Sequence, residues 1–233
     1  MELLETRNHI VTLDNYKAFC NQLGGVIEKY PNLSIKVKDE RKILKGILDI
    51  PNDDLNIIGS YFIEIHFTNL FPFRFPKLFE IGGDIPSRID WHKFSDNSCC
   101  ITVQPDEIIK CKTGISVIDF IEKYCFSFFA NHIYRKQEGR YLNGEYGHGL
   151  DGLKEFYSTQ LKTDDVDKWI HYLTYTFFLA NPKFKRNDKC FCESNIKFKN
   201  CHLKIFDSLR EIGLNQCLFD FKRIYPNAKF EFS

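Results

Sequence analysis

The sequence predicts an α+β chain: one helix, then an antiparallel meander of strands, then further helices that carry a small cysteine-rich module. Three observations lead there. Apolar residues recur at helical spacing over residues 14–30. Strand-like runs follow, separated by turn residues, and one of them alternates cleanly between two faces, only one of which carries polar side chains. Residues 183–204 then change composition, with seven Lys/Arg against two acids and three Cys and a His close together.

The first helix is expected to be capped by Asp14, to bury Tyr16, Phe19, Cys20, Leu23, Val26, Ile27 and Tyr30, and to stop at Pro31. Strands are expected over 33–37, 43–50 and 61–67, with Tyr61, Ile63, Ile65 and Phe67 on one face of the last and Phe62, Glu64 and His66 on the other. Pro72, Pro76, Pro86 and Pro105, with Gly82-Gly83, make Phe71 to Gln104 a long irregular connection, and loops of that length tend to be functional. A helix over 114–131 presents Ile115, Ile118, Ile121, Cys125, Phe128 and Phe129 on one face. After a Gly-rich loop at 139–152, Thr163-Asp-Asp-Val-Asp opens another helix with Val166, Trp169, Ile170, Leu173 and Phe177 inward.

A chain of 233 residues, 43% hydrophobic and 27% charged, can bury a core and is not disordered. One larger domain over residues 1–160 and a smaller one over 161–233 are expected. The net charge of +1 gives no global attraction to nucleic acid or an anionic membrane. No signal peptide and no membrane-spanning run is expected, and an odd nine Cys fits a reducing cytoplasm better than a disulfide framework.

Two segments carry the first candidate site: Phe71-Pro-Phe-Arg-Phe-Pro-Lys-Leu and Asp96-Asn-Ser-Cys-Cys-Ile. A loop cysteine on a stiff scaffold is what a nucleophilic thiol needs, and two buried core cysteines are the competing reading. In element order and in these segments the chain resembles the ubiquitin-conjugating enzymes. Their Tyr-Pro-Phe-x-Pro-Pro-x-Val turn is matched by Phe71 to Leu78, and their Gly-x-Ile-Cys-Leu loop by Asn97-Ser98-Cys99-Cys100-Ile101. The resemblance covers about residues 10–135 and implies a UBC-like fold: an N-terminal helix, a four-stranded antiparallel meander and C-terminal helices. It implies that Cys100 is the nucleophile that accepts a ubiquitin-like modifier from an activating enzyme, and that Cys99 packs inward. The family's His-Pro-Asn is missing, the nearest match being His92-Lys93-Phe94, and Asn97 is the candidate oxyanion donor in its place. Asp96 and Asp106 flank the thiol and read as loop caps, and His148, between two glycines, reads as part of a compact turn.

The second candidate site is Cys190-x-Cys192-x8-Cys201-His202. Three thiolates and an imidazole suit tetrahedral Zn²⁺, and four protein ligands make such a site structural. With its flanks Arg186, Asn187, Ser194, Lys197 and Lys199, the stretch resembles the SEC-C motif, with Glu193 in place of the usual Gly. The resemblances together imply a conjugating-type acyl transferase with a zinc module, in a bacterial anti-phage defence setting. The alternative is a non-catalytic RWD/UBC-like binding module with a zinc adaptor. Nucleic acid and membrane are not expected partners, and the protein target is open.

Overall fold

A computed structural model describes residues 2–141, 147, 149–178, 185–192 and 194–228. They form two units: residues 1–102 with 111–145, and residues 103–110 with 146–233.

In the first unit, helix α1 (Glu2–Lys29) leads into strands β1 (Leu33–Lys38), β2 (Arg41–Pro51), β3 (Ile57–His66) and β4 (Lys77–Glu80). α1 begins well before residue 14, because residues 2–13 contain no Gly or Pro to stop it, so Asp14 lies inside the helix rather than capping it. The strands pair antiparallel in the order β1-β2-β3-β4, a plain meander. Alternation works as expected in β3. Tyr61, Ile63, Ile65 and the following Phe67 face the core, where they meet Phe19, Leu23, Leu44, Leu48, Phe120 and Phe129. On the outer side Glu64 is nevertheless buried, roofed by Lys38 (3.0 Å), Lys45 (2.9 Å) and His66 (2.8 Å). β4 falls inside the stretch expected to be irregular; it is only four residues long and follows a Pro-rich turn containing a cis Phe71–Pro72 peptide.

A second helix of this unit closes the sheet. Ser116 caps it by accepting from the Asp119 N–H at 2.9 Å, and it runs as α3 (Val117–Phe120), a π turn (Ile121–Cys125) and α4 (Phe126–Glu138). Ile121, Cys125, Phe128 and Phe129 are buried along the expected face. Gly139 ends it in the left-handed conformation at φ 73°.

The second unit is helical. α2 (Gln104–Lys110) opens with Pro105 in its first turn, where a missing N–H costs nothing. α5 (Leu150–Leu161), α6 (Val166–Leu173), α7 (Leu203–Ile212) and α8 (Leu214–Ile224) bury Leu153, Phe156, Tyr157, Trp169, Leu173, Leu209 and Phe221 together. Asp165 caps α6, accepting from the Asp167 N–H at 2.9 Å. Inside this core Asp220 is satisfied by the Tyr157 hydroxyl and the Gln216 amide, each at 2.9 Å. The division falls between 145 and 146 rather than at 160, which would cut α5 away from the core its own residues build. Of the Gly-rich loop, Gly144 and His148 lie outside the described residues.

Candidate functional site

The cysteine pair of the first unit sits on a tight loop. Asn97 adopts φ 66°, and Asp96 accepts both the Ser98 N–H at 3.0 Å and the Ser98 hydroxyl at 2.5 Å. Lys77 holds the other oxygen of Asp96 at 2.9 Å. The Ser98 hydroxyl first, and Lys77 next, hold the Asp96 carboxyl well below the usual carboxylate range. The Cys99 N–H then donates to the Leu78 carbonyl and the Cys100 N–H to the His92 carbonyl, both at 2.8 Å. That extended pairing turns neighbouring side chains to opposite sides. Cys99 enters the core, where burial pushes its thiol up to about 12, while Cys100 stays half-buried with its Sγ 3.9 Å from the Thr102 carbonyl.

Beneath this loop lies a layer that the sequence did not announce. Arg135 of α4 donates to the Asp90 carbonyl and to the Tyr141 hydroxyl (2.5 Å) and stacks on Trp91 and Tyr141, 4.1 and 4.5 Å from their ring centres. His132, 1% exposed, packs against Phe128, Tyr141 and Trp91, and neither ring nitrogen has a hydrogen-bond partner among the described residues. Burial first, then the nearby His92, Arg135, Lys136 and Lys93, push its pKa down to about 3. Lys93 itself is buried and paired with Glu80; it also donates to the Ile85 carbonyl at 2.9 Å.

The structure gives the expected oxyanion donor another partner. Asn97 uses its side-chain oxygen to accept the Ser87 hydroxyl at 2.5 Å, and no described hydrogen bond joins it to Cys100. Asp106, expected as a loop cap, lies instead in the first turn of α2, where it pairs with Lys110 at 2.5 Å. His66 lies on the outer sheet face with Glu64.

In the second unit a short bridge, Lys189 to Lys197, and the Cys190 N–H donating to the Ile196 carbonyl (2.8 Å) form a knuckle. A single 3₁₀ turn, Phe198–Asn200, then delivers Cys201 and His202 to the start of α7. Phe198 and Phe206 pack beneath with Cys190. Cys190, Cys192, Cys201 and His202 place one donor atom each within 4.8 Å of one another. His202 Nδ1 lies 3.2 Å from Cys190 Sγ and 3.1 Å from Cys201 Sγ, and the Cys192 and Cys201 sulfurs are 3.5 Å apart. A tetrahedral ion with bonds of about 2.3 Å to sulfur and about 2.0 Å to nitrogen sets its donors roughly 3.5–3.8 Å apart, so small shifts of donors that already lie within 4.8 Å of one another fit one. Burial pushes the Cys190 thiol up to about 11. At Cys192 burial acts the same way, but the Ser194 hydroxyl and N–H and the neighbouring thiols outweigh it and hold the group at about 7. One of the thiols is thus ready to ionise near neutrality, and the four donors can hold a metal ion.

No curated protein and no solved structure matches the chain. Among the described residues no helix is long and apolar enough to cross a membrane. The SEC-C motif matches residues 186–204, the stretch that contains all four clustered donors, and motif and cluster together fit a zinc-binding module.

Proposed function

We propose that the first unit is a UBC-like domain that carries a ubiquitin-like modifier as a thioester on Cys100, and that the second holds a structural Zn²⁺ through Cys190, Cys192, Cys201 and His202. The observation that carries the first half is the parity of the cysteine pair. After the last strand of a four-stranded meander Cys99 is buried in the core while Cys100, its side chain turned the other way, stays half-buried on an anchored loop. The matched motif and the closed set of four donors support the second half. With no ligand position left over, the ion's contribution is to clamp the knuckle, not to activate a substrate.

In this reading the Cys100 sulfur attacks the carbonyl carbon of the modifier's thioester on its activating enzyme. A new C–S bond forms, and the enzyme's sulfur leaves and takes up the proton that Cys100 releases. An amine of the target then attacks the same carbon. A C–N bond forms and the Cys100 sulfur leaves, taking the amine's proton. Positioning by the anchored loop supplies most of the acceleration.

The test is incubation with an activating enzyme, a ubiquitin-like modifier and ATP. Wild type should form a reductant-sensitive adduct, Cys100→Ser a reductant-resistant oxyester, and Cys100→Ala none. An adduct that survives in Cys100→Ala overturns the assignment. One observation favours the second reading, a non-catalytic binding module with a zinc adaptor: Asn97 is occupied by Ser87. Absence of any adduct with matched partners selects that reading.

A further inference from the structure

We propose that Tyr172 is a positioning residue for the metal centre, fixing which nitrogen of His202 faces the ion. The inference rests on the zinc reading above, yet concerns a residue of α6, outside the matched 186–204.

The geometry assigns the two nitrogens different tasks. Nδ1 of His202 points among the sulfurs, at 3.2 Å from Cys190 and 3.1 Å from Cys201. Nε2 points away from them and lies 2.9 Å from the Tyr172 hydroxyl. An imidazole that ligates through Nδ1 must carry its proton on Nε2, so the Nε2–H donates and the Tyr172 oxygen accepts. That bond selects one tautomer and one ring orientation before the ion arrives, the task that outer partners perform around metal-bound histidines.

Tyr172 is well placed to do this rigidly. It is 7% exposed, and its neighbours on the helix, Trp169 and Leu173, are fully buried in the core of the second unit. Its ring also lies 5.1 Å from the His202 ring, and Phe191 flanks that imidazole at 5.0 Å. The imidazole is therefore held by aromatic rings and by a hydroxyl anchored in the helical core. The bond also ties the knuckle to α6, so loading the centre should protect α6 as well as the knuckle.

The experiment uses the full chain and Zn²⁺ as the probe, in competition with a chromophoric chelator at fixed pH. Tyr172→Phe should still bind one ion through the same four donors, with affinity about 10–100-fold weaker than wild type. A second measurement needs no variant: long-range ¹⁵N–¹H correlation of the loaded wild type should show His202 bound through Nδ1 and protonated at Nε2. Equal affinities in the two proteins, or coordination through Nε2, overturn the proposal even if Tyr172→Phe folds poorly. A wild type that binds no Zn²⁺ overturns the metal reading itself, and that failure appears in the wild-type arm alone.

Discussion

His132 should make the first unit sensitive to mild acid. Its folded pKa is pushed down to about 3 from the ordinary 6.5, first by burial and then by surrounding positive charge. Below pH 6.5 the unfolded chain binds a proton at this position and the folded chain does not. Stability is therefore fully present above 6.5 and is lost as the pH falls towards 3. Each pH unit in that window is worth about 1.4 kcal/mol, so at pH 5 this residue alone costs about 2 kcal/mol. Among the other shifted carboxylates here, Asp96 is lowered further still and changes nothing near pH 5, and Glu64 behaves alike. Burial opposes its ionisation, but Lys45, His66 and Lys38 hold it down to about 2, so its contribution is present above 4.5 and is lost only below that. At pH 5 it stays nearly silent. The assay is urea unfolding at pH 7.5 and 5.0, followed by Trp91 fluorescence in a Trp169→Phe background, with and without His132→Phe. Between the two pH values the protein with His132 should lose about 2 kcal/mol more than the variant. Parallel losses in both would refute the reasoning, whatever the absolute stabilities, because only the titration of His132 distinguishes them.

Two further outcomes follow from buried groups in the same unit. Lys93 and Glu80 are 1% and 0% exposed, and the Glu80 carboxylate also accepts from the Asp84 and Ile85 N–H groups at 3.2 and 3.4 Å. Lys93→Met alone strands a buried carboxylate and should cost about 3–5 kcal/mol in urea unfolding, whereas Lys93→Met with Glu80→Gln should recover most of that; a double variant as unstable as the single one would refute it. Brief alkylation with iodoacetamide at pH 8, read by fragment-ion mass spectrometry, should label Cys100 and spare Cys99, held by burial at about 12, and Cys125, fully buried and pushed well up; labelling of Cys99 ahead of Cys100 would refute the parity argument.

What could be read from the sequence was whatever depends on short-range periodicity. The faces of β3 follow from strict alternation between Tyr61 and Phe67, and the closing helix from Ile121, Cys125, Phe128 and Phe129. The metal cluster is legible because its four ligands all fall within residues 190–202 and have a narrow chemistry. Punctuation misled in three places. Asp14 looks like a cap but continues a helix whose earlier residues nothing interrupts. β4 is too short to show a period. α2 begins at a Gln-Pro that reads as a break, although proline is at home in a first helical turn. Long-range contacts left no signal at all. Nothing local marks His132 as buried, Asn97 as bound to Ser87, or Tyr172 as the partner of His202.

The assignment of residues 103–110 to the second unit has a consequence for how the chain can be made and cut. Val103, Ile108 and Ile109 pack on a core whose other members begin at Leu153 and end at Phe221. A fragment that stops at 145 carries an amphipathic helix without its seat, and one that starts at 146 has a seat without its helix. During synthesis the same helix emerges about 110 residues before α8, a delay of about 5–20 s at usual elongation rates. From the completion of residue 145 until α8 is made, a partly apolar segment sits within the sequence of a first unit whose own residues are all present. Fusion or truncation at the unit boundary should therefore yield aggregation-prone pieces, whereas joining 103–110 to the start of 146–228 through a flexible linker should restore a separable helical body.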